Sequence, residues 1–89
     1  MNPIRVMKIA EIEKQTRGIS KWPIWEKEIS TFDWYYDQEE HCLILSGRCT
    51  VTSAEQQVEI KSGDYVIFPK GLHCAWKIIE PIRKHYQFL

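Results

Sequence analysis

Two side chains stand where they could do chemistry from the inside of a β-structure. Glu40 opens the run "EHCLILSG", and Cys74 closes the run "GDYVIFPKGLHC". On an alternating strand Glu40 shares its face with Cys42 and Ile44, opposite His41, Leu43 and Leu45. A carboxylate on such an apolar face must be paired, hydrogen-bonded or protonated. Burial beside aromatic rings would raise its pKa and suit acid–base work. A place at the mouth beside Asp37, Gln38 and Glu39, or an internal salt bridge to Lys or Arg, would make it structural instead. Both readings stay open.

Cys74 follows His73, so only one of the two can point inward. Cys74 shares a face with Trp76 and Ile78, while His73 shares one with Ala75 and Lys77. The second face is the more polar, which predicts Cys74 inside and His73 outside. A nucleophilic thiol needs a cationic neighbourhood. An ionised Glu40 nearby would do the opposite, and no inward His is evident as a base. A small buried hydrophobe is therefore the stronger reading for Cys74, as for Cys42 and Cys49. Glu40 and Cys74 remain the candidate catalytic residues. Trp34, Tyr36 and Trp76 would face the same interior. They are core packing, or the aromatic walls of a ligand pocket, or packing at one end and walls at the other.

These residues need strands to hold them, and the pattern supplies strands. The chain has 89 residues, enough for one domain. A domain of this size buries roughly two-thirds of its unfolded surface, and eleven aromatic residues give it large buried area per residue. Residues 1–21 read as a first strand from Pro3 to Ile12, a short helical turn within "EIEKQTRGISK", and a loop at Gly18. From Trp22 on the pattern is β: "WPIWEKEI", "TFDWYY", "HCLILS", "RCTVTS", "VEI", "YVIF", "HCAWKII" and "IRKHYQF". Turn residues separate them, including Gly47, Ser62-Gly63-Asp64, Pro69-Lys70-Gly71 and Glu80-Pro81. Many short strands at close spacing predict a sandwich or barrel whose edges are hidden. Twelve basic and twelve acidic side chains cancel. With no basic stripe, nucleic acid is not an expected partner. The cluster Arg83-Lys84-His85 reads as a solvated edge. No apolar run approaches a membrane span and no apolar leader is visible, which predicts no membrane contact. Three cysteines without framework spacing predict free thiols and the cytoplasm. Trp22 and Trp25 would cover one end of the interior or join two copies into a homodimer.

The spacing of glycines is more specific. Glu40 is followed by six residues and Gly47; Gly63 is followed by five residues, Pro69, one residue and Gly71. These resemble the two motifs of the cupin superfamily, small jelly-roll barrels, with a fifteen-residue segment between them. The wider text "KWPIWEKE", "FDWYYD" and "EPIRKHY" is similar to single-domain cupins related to the C-terminal cupin of ethanolamine-utilisation proteins and to the cupin domain of (S)-ureidoglycine aminohydrolase. The resemblance runs from about Trp22 to the end. It implies an all-β, cupin-type jelly roll with at most one short helix, over a single domain at 1–89. It also implies a small polar ligand, ureide-like or carbohydrate-like.

The family's metal site uses two His, a Glu and a third His. By position these fall on Trp34, Tyr36, Glu40 and Cys74. Only Glu40 is retained, with Cys74 a chemically possible substitute. An indole offers no lone pair to a metal, closed zinc sites take four ligands, and iron takes two His and a carboxylate. The resemblance thus implies a degenerate site that favours no cofactor over weakly held Zn, Mn or Fe on Glu40 and Cys74. Three function classes follow: a small-molecule-binding cupin, a weakly metal-dependent aminohydrolase-like enzyme, or a structural module with a filled interior.

Overall fold

A computed structural model describes residues 2–89. The chain begins with a short strand, β1 (Arg5–Met7), and a seven-residue helix, α1 (Glu11–Arg17). Glu11 and Glu13 lie in the first turn of α1 and Lys14 and Arg17 in the last, the order a helix dipole favours. Gly18, at φ 65°, ends the helix, and its N–H donates to the Gln15 carbonyl. A 3-10 turn (Ile19–Lys21) leads into six further strands: β2 (Ile24–Lys27), β3 (Ser30–Tyr35), β4 (Glu40–Thr52), β5 (Gln57–Lys61), β6 (Tyr65–Phe68) and β7 (His73–Phe88). The first strand is shorter than the Pro3 to Ile12 expected, because the helix already begins at Glu11.

The sequence pattern breaks the chain at Gly47 and at Glu80-Pro81. The structure instead runs β4 and β7 through both points, so four expected strands are two. Gly47, at φ 94°, lies against Pro81 so closely that a Cβ added there would sit 2.0 Å from the Pro81 carbonyl oxygen. Around this contact the β4–β7 register shifts between Ile44 and Cys49. A proline has no N–H for the ladder and is tolerated at such an irregularity, and glycine supplies the positive φ. The result is a crease, not a chain reversal.

Each long strand therefore serves two parts of the sheet. The first half of β4 pairs with β6 and with the second half of β7, where Glu40 opposes Phe88. Its second half pairs with β5 and with the first half of β7, where Thr52 opposes Ala75. Strand β1 extends β6, β2 joins the late half of β7, and β3 joins the early half. All pairings are antiparallel, and the strand order is β1-β6-β4-β7-β2 with β3 and β5 branching off. The seven-stranded sheet folds over itself without closing, an all-β jelly roll.

The facing halves enclose the main core. Cys42 and Ile44 come from one half of β4, Cys49 and Val51 from the other, with Ile60, Phe68, Trp76 and Ile82 between them. The outer face of β4 and β6 is also covered. Ile19 is buried there with Leu43, Tyr65 and Ile67, and Trp22 packs over them. That cover explains why every residue of "YVIF" is buried. Among the described residues no helix is long and apolar enough to cross a membrane.

Gly47→Ala should be costly, since it adds both a positive-φ side chain and a clash with backbone. The expected loss is about 2–4 kcal/mol, read as a lower urea midpoint with unchanged slope. A loss within ~0.5 kcal/mol, the range of ordinary surface changes, would refute the crease.

Candidate functional site

A cavity of about 230 Å³ opens between the two halves of the sheet. Its walls are aromatic: Trp25 from β2, Phe32 and Trp34 from β3, Trp76, Tyr86 and Phe88 from β7, and Tyr36 from the turn after β3. Among the described residues Glu40 and Lys84 are the charged ones that line it. Phe32 stacks on Trp76, with ring centres 6.0 Å apart, and Trp25 meets Trp76 edge-on at 5.9 Å. Tyr36 stacks on Phe68 at 4.9 Å. Trp34 is half exposed and stands at the mouth.

The two charges form one unit. Lys84 Nζ donates to Glu40 Oε2 at 2.8 Å, and both residues are almost fully buried. The ammonium also lies 4.8 Å from the ring centres of Trp25 and Trp76 and 5.9 Å from that of Phe68. Ring faces are negative, so they stabilise the cation where water cannot. The strand register sets this up. Trp25 is the pairing partner of Lys84 across β2 and β7, and Ile82 and Lys84, two residues apart, are both buried on β7. Lys84 is therefore not part of a solvated edge. Alternation from the buried Ile82 was the signal that could have placed it inside.

Burial opposes the Lys84 charge; the Cys42 side chain and the Glu40 carboxylate oppose burial, and the net holds its proton above the ordinary lysine range. Cys42 is itself pushed up to about 12, chiefly by burial. It is a neutral thiol at pH 7, so Glu40 is the partner that keeps Lys84 charged there. Tyr36 holds its phenol proton far above the usual range, from burial first and the Glu40 charge second. The Tyr36 hydroxyl lies beside the Glu40 carboxylate, whose Oε1 is the oxygen that Lys84 leaves over. Among the described residues that oxygen has no partner, and neither has the Trp76 indole N–H.

Four of the five residues expected to line the interior, Trp34, Tyr36, Glu40 and Trp76, meet at this cavity. Cys74 does not. It is buried, and His73 is exposed, with its ring tilted against Tyr35 at 4.4 Å. However, Cys74 lines a separate cleft with Asp33, Tyr35, Thr52 and Ser53. Its thiol donates to the Trp34 carbonyl at 3.7 Å. Burial pushes its pKa up to about 11, with the Trp76 indole pulling partly the other way. The two clefts are neighbours that share Trp34, and the Glu40 and Lys84 charges still act on the Cys74 thiol. The residues missed by sequence are Lys84, Phe32, Tyr86 and Phe88. Trp25 covers one end of the interior, and Trp22 packs on Tyr65 at 6.5 Å. Both make contacts within the chain and stay partly exposed.

The residues at the family's metal positions do not fit a divalent metal. Glu40 Oε2 is taken by Lys84, Cys74 lines the neighbouring cleft with its thiol turned to the Trp34 carbonyl, and Trp34 has no lone pair to give. Among the described residues no three His, Cys, Asp or Glu side chains converge on a metal-sized space.

Two expectations follow. Lys84→Met leaves a buried carboxylate alone and should cost roughly 3–5 kcal/mol. Adding Glu40→Gln to it should recover most of that loss in denaturant unfolding; an equally unstable double variant would refute a mutual pair. The second is alkaline. Cys42 and Cys49 are raised to about 12 and Cys74 to about 11, so the unfolded chain sheds these protons first. Stability should be whole at pH 7, fall above the ordinary thiol value of about 8.5, and fall faster above about 10.4 as Lys84 joins with the same sign. Unfolding free energies that stay flat from neutral pH to 11 would contradict this.

Residues 14–86 match the model of the EutQ-like cupin domain. A DUF861 family protein from Thermotoga maritima, known by crystal structure, is 46% identical over 98% of this chain and 100% of its own, with a TM-score of 0.96. The Clostridium difficile EutQ protein is 19% identical over 96% of this chain and 66% of its own, with a TM-score of 0.68. A putative ethanolamine utilization protein Q from Salmonella typhimurium is 16% identical over 98% and 69%, also at 0.68. The last two likenesses speak for the fold alone. No curated protein matches. The chain belongs to the EutQ-like cupin family.

Proposed function

We propose that this cupin binds a small polar organic molecule in the aromatic cavity, and that Lys84 supplies there the positive charge that a bound metal supplies in metal-dependent cupins. One observation carries the reading. A carboxylate and an ammonium are buried together at an otherwise apolar cavity, and one carboxylate oxygen is left without a partner. Burying such a pair costs several kcal/mol per ion, and packing alone would be served as well by apolar residues. A placed polar pair within aromatic walls is the usual build of a small-molecule site. The ligand classes implied by the cupin resemblance, ureide-like or carbohydrate-like, suit it.

The cavity itself speaks against the filled-interior reading. Enzymatic turnover is the second reading, and the unpartnered oxygen of Glu40 is the feature that favours it. No activated nucleophile accompanies it, since all three thiols are held protonated. Buried, unpaired cysteines agree with a reducing compartment, and we place the protein in the cytoplasm on that ground.

Trp34 offers a test that spares the fold, because it is 49% exposed. Trp34→Ala should weaken ligand binding by about 1–2 kcal/mol, the worth of a lost aromatic contact with its area, and leave thermal unfolding nearly unchanged. Dialysis against EDTA should leave the affinity as it was. A loss of affinity on chelation, restored by added zinc or manganese, would put a metal back in the site.

A further inference from the structure

We infer that the ligand is a compact, uncharged molecule carrying a hydrogen-bond donor and an acceptor close together, because the buried pair offers it one spare carboxylate oxygen and one spare ammonium face and no net charge. The inference rests on the ligand-binding reading above and narrows it. Three observations select the class.

The first is charge. Lys84 by itself would invite an anion. Yet its Nζ is 2.8 Å from Glu40 Oε2, and among the described residues no other charged side chain lines the cavity. An anion entering would compete with a covalently fixed carboxylate for the same ammonium, and would face Glu40 at close range. A cation would meet Lys84 in the same way. Either must leave its own hydration shell for a site that offers no unopposed charge. A neutral molecule pays neither penalty.

The second is the hydrogen-bond inventory. Glu40 Oε1 is buried without a partner, so it asks for a donor. An ammonium has three N–H groups. Among the described residues Lys84 spends one on Glu40, and its other neighbours are the Cys42 side chain and the rings of Trp25 and Trp76. It can therefore give a further hydrogen to a ligand oxygen. Donor to Oε1 and acceptor to Nζ must sit near each other, since the two protein atoms belong to one ion pair. A ureido or carboxamide group does this with its N–H and C=O. A pair of neighbouring hydroxyls does it as well.

The third is size and wall. About 230 Å³ corresponds to the share of roughly seven or eight waters at ~30 Å³ each. That admits a molecule of single-ring size. Trp25, Phe32 and Trp76 supply aromatic ring surface, which suits a flat heterocycle or the C–H face of a polyol.

Calorimetric titration of the full chain with four probes tests this: hydantoin as a ureido compound, erythritol as a polyol, acetate as an anion and ethylammonium as a cation. Trp fluorescence reports whether binding is at the cavity. Hydantoin, erythritol or both should bind, at least about tenfold more tightly than either ion, and whichever binds names the source of the shared chemistry. The fluorescence change should vanish in Glu40→Gln/Lys84→Met, whose folding is checked by circular dichroism. Acetate or ethylammonium binding at the cavity as tightly as the neutral probes would overturn the inference and leave the ligand site standing. Neutral binding that persists unchanged in the double variant would overturn it too. No heat and no fluorescence change with any probe up to solubility would count against the site and the inference together.

Discussion

The pairing of β4 with β7 is the constraint on which the rest depends. The two longest strands lie antiparallel from Glu40–Phe88 at one end to Thr52–Ala75 at the other, and both bend where Gly47 meets Pro81. All but one of the remaining strands attach to one of their halves; β1 reaches them through β6. The bend brings the halves face to face, so one pair of strands supplies both walls of the core. It also brings the Trp76 ring, from early β7, within 4.8 Å of Lys84 Nζ, from late β7. Residues eight apart on an unbent strand would be too far separated for that contact.

The site inherits its electrostatics from this arrangement. Cys42, Phe68 and Trp76 surround the ion pair with apolar or weakly polar groups, which strengthens the attraction between Glu40 and Lys84 and also makes either charge expensive alone. The three ring faces around Nζ offset part of the lost hydration. Hence the pair is stable as a unit, and among the buried side chains of the described residues Glu40 Oε1 is the acceptor without a partner. The same dry surroundings hold Cys42, Cys49 and Tyr36 protonated, so Glu40 and Lys84 are the charged groups around this cavity.

The comparison with metal-dependent cupins is instructive at the level of side chains. Glu40 occupies the position of the family's carboxylate ligand, but it faces an ammonium fixed to the chain. Such a charge cannot dissociate, so it does not depend on metal supply. It also cannot accept lone pairs from several ligands at once as a metal ion does. It can only donate hydrogens. The outer face follows a different logic. There Arg17 donates to the Tyr65 hydroxyl, and His41 bridges Tyr65 at 2.6 Å and Glu39 at 2.7 Å. This chain of contacts fastens α1 over β6 and completes the burial of that strand.

The sequence by itself determined the fold class, the family motifs, the single short helix, and the inward face of Tyr36, Glu40, Cys74 and Trp76. Those features are local: period-two alternation, turn residues and glycine spacing are written in consecutive positions. It also contained the alternative that Glu40 is held by an internal lysine or arginine, without saying which. Tertiary structure decided three things. It made Gly47 and Pro81 one crease rather than two turns, because that depends on two segments more than thirty residues apart touching. It drew Lys84 out of an apparently solvated cluster, because a long cation is buried only where a carboxylate and aromatic faces from other strands converge on it. And it placed Cys74 in a cleft next to the Glu40 cavity, across Trp34, because sharing an interior face fixes a side chain's direction but not which cavity along that face it reaches.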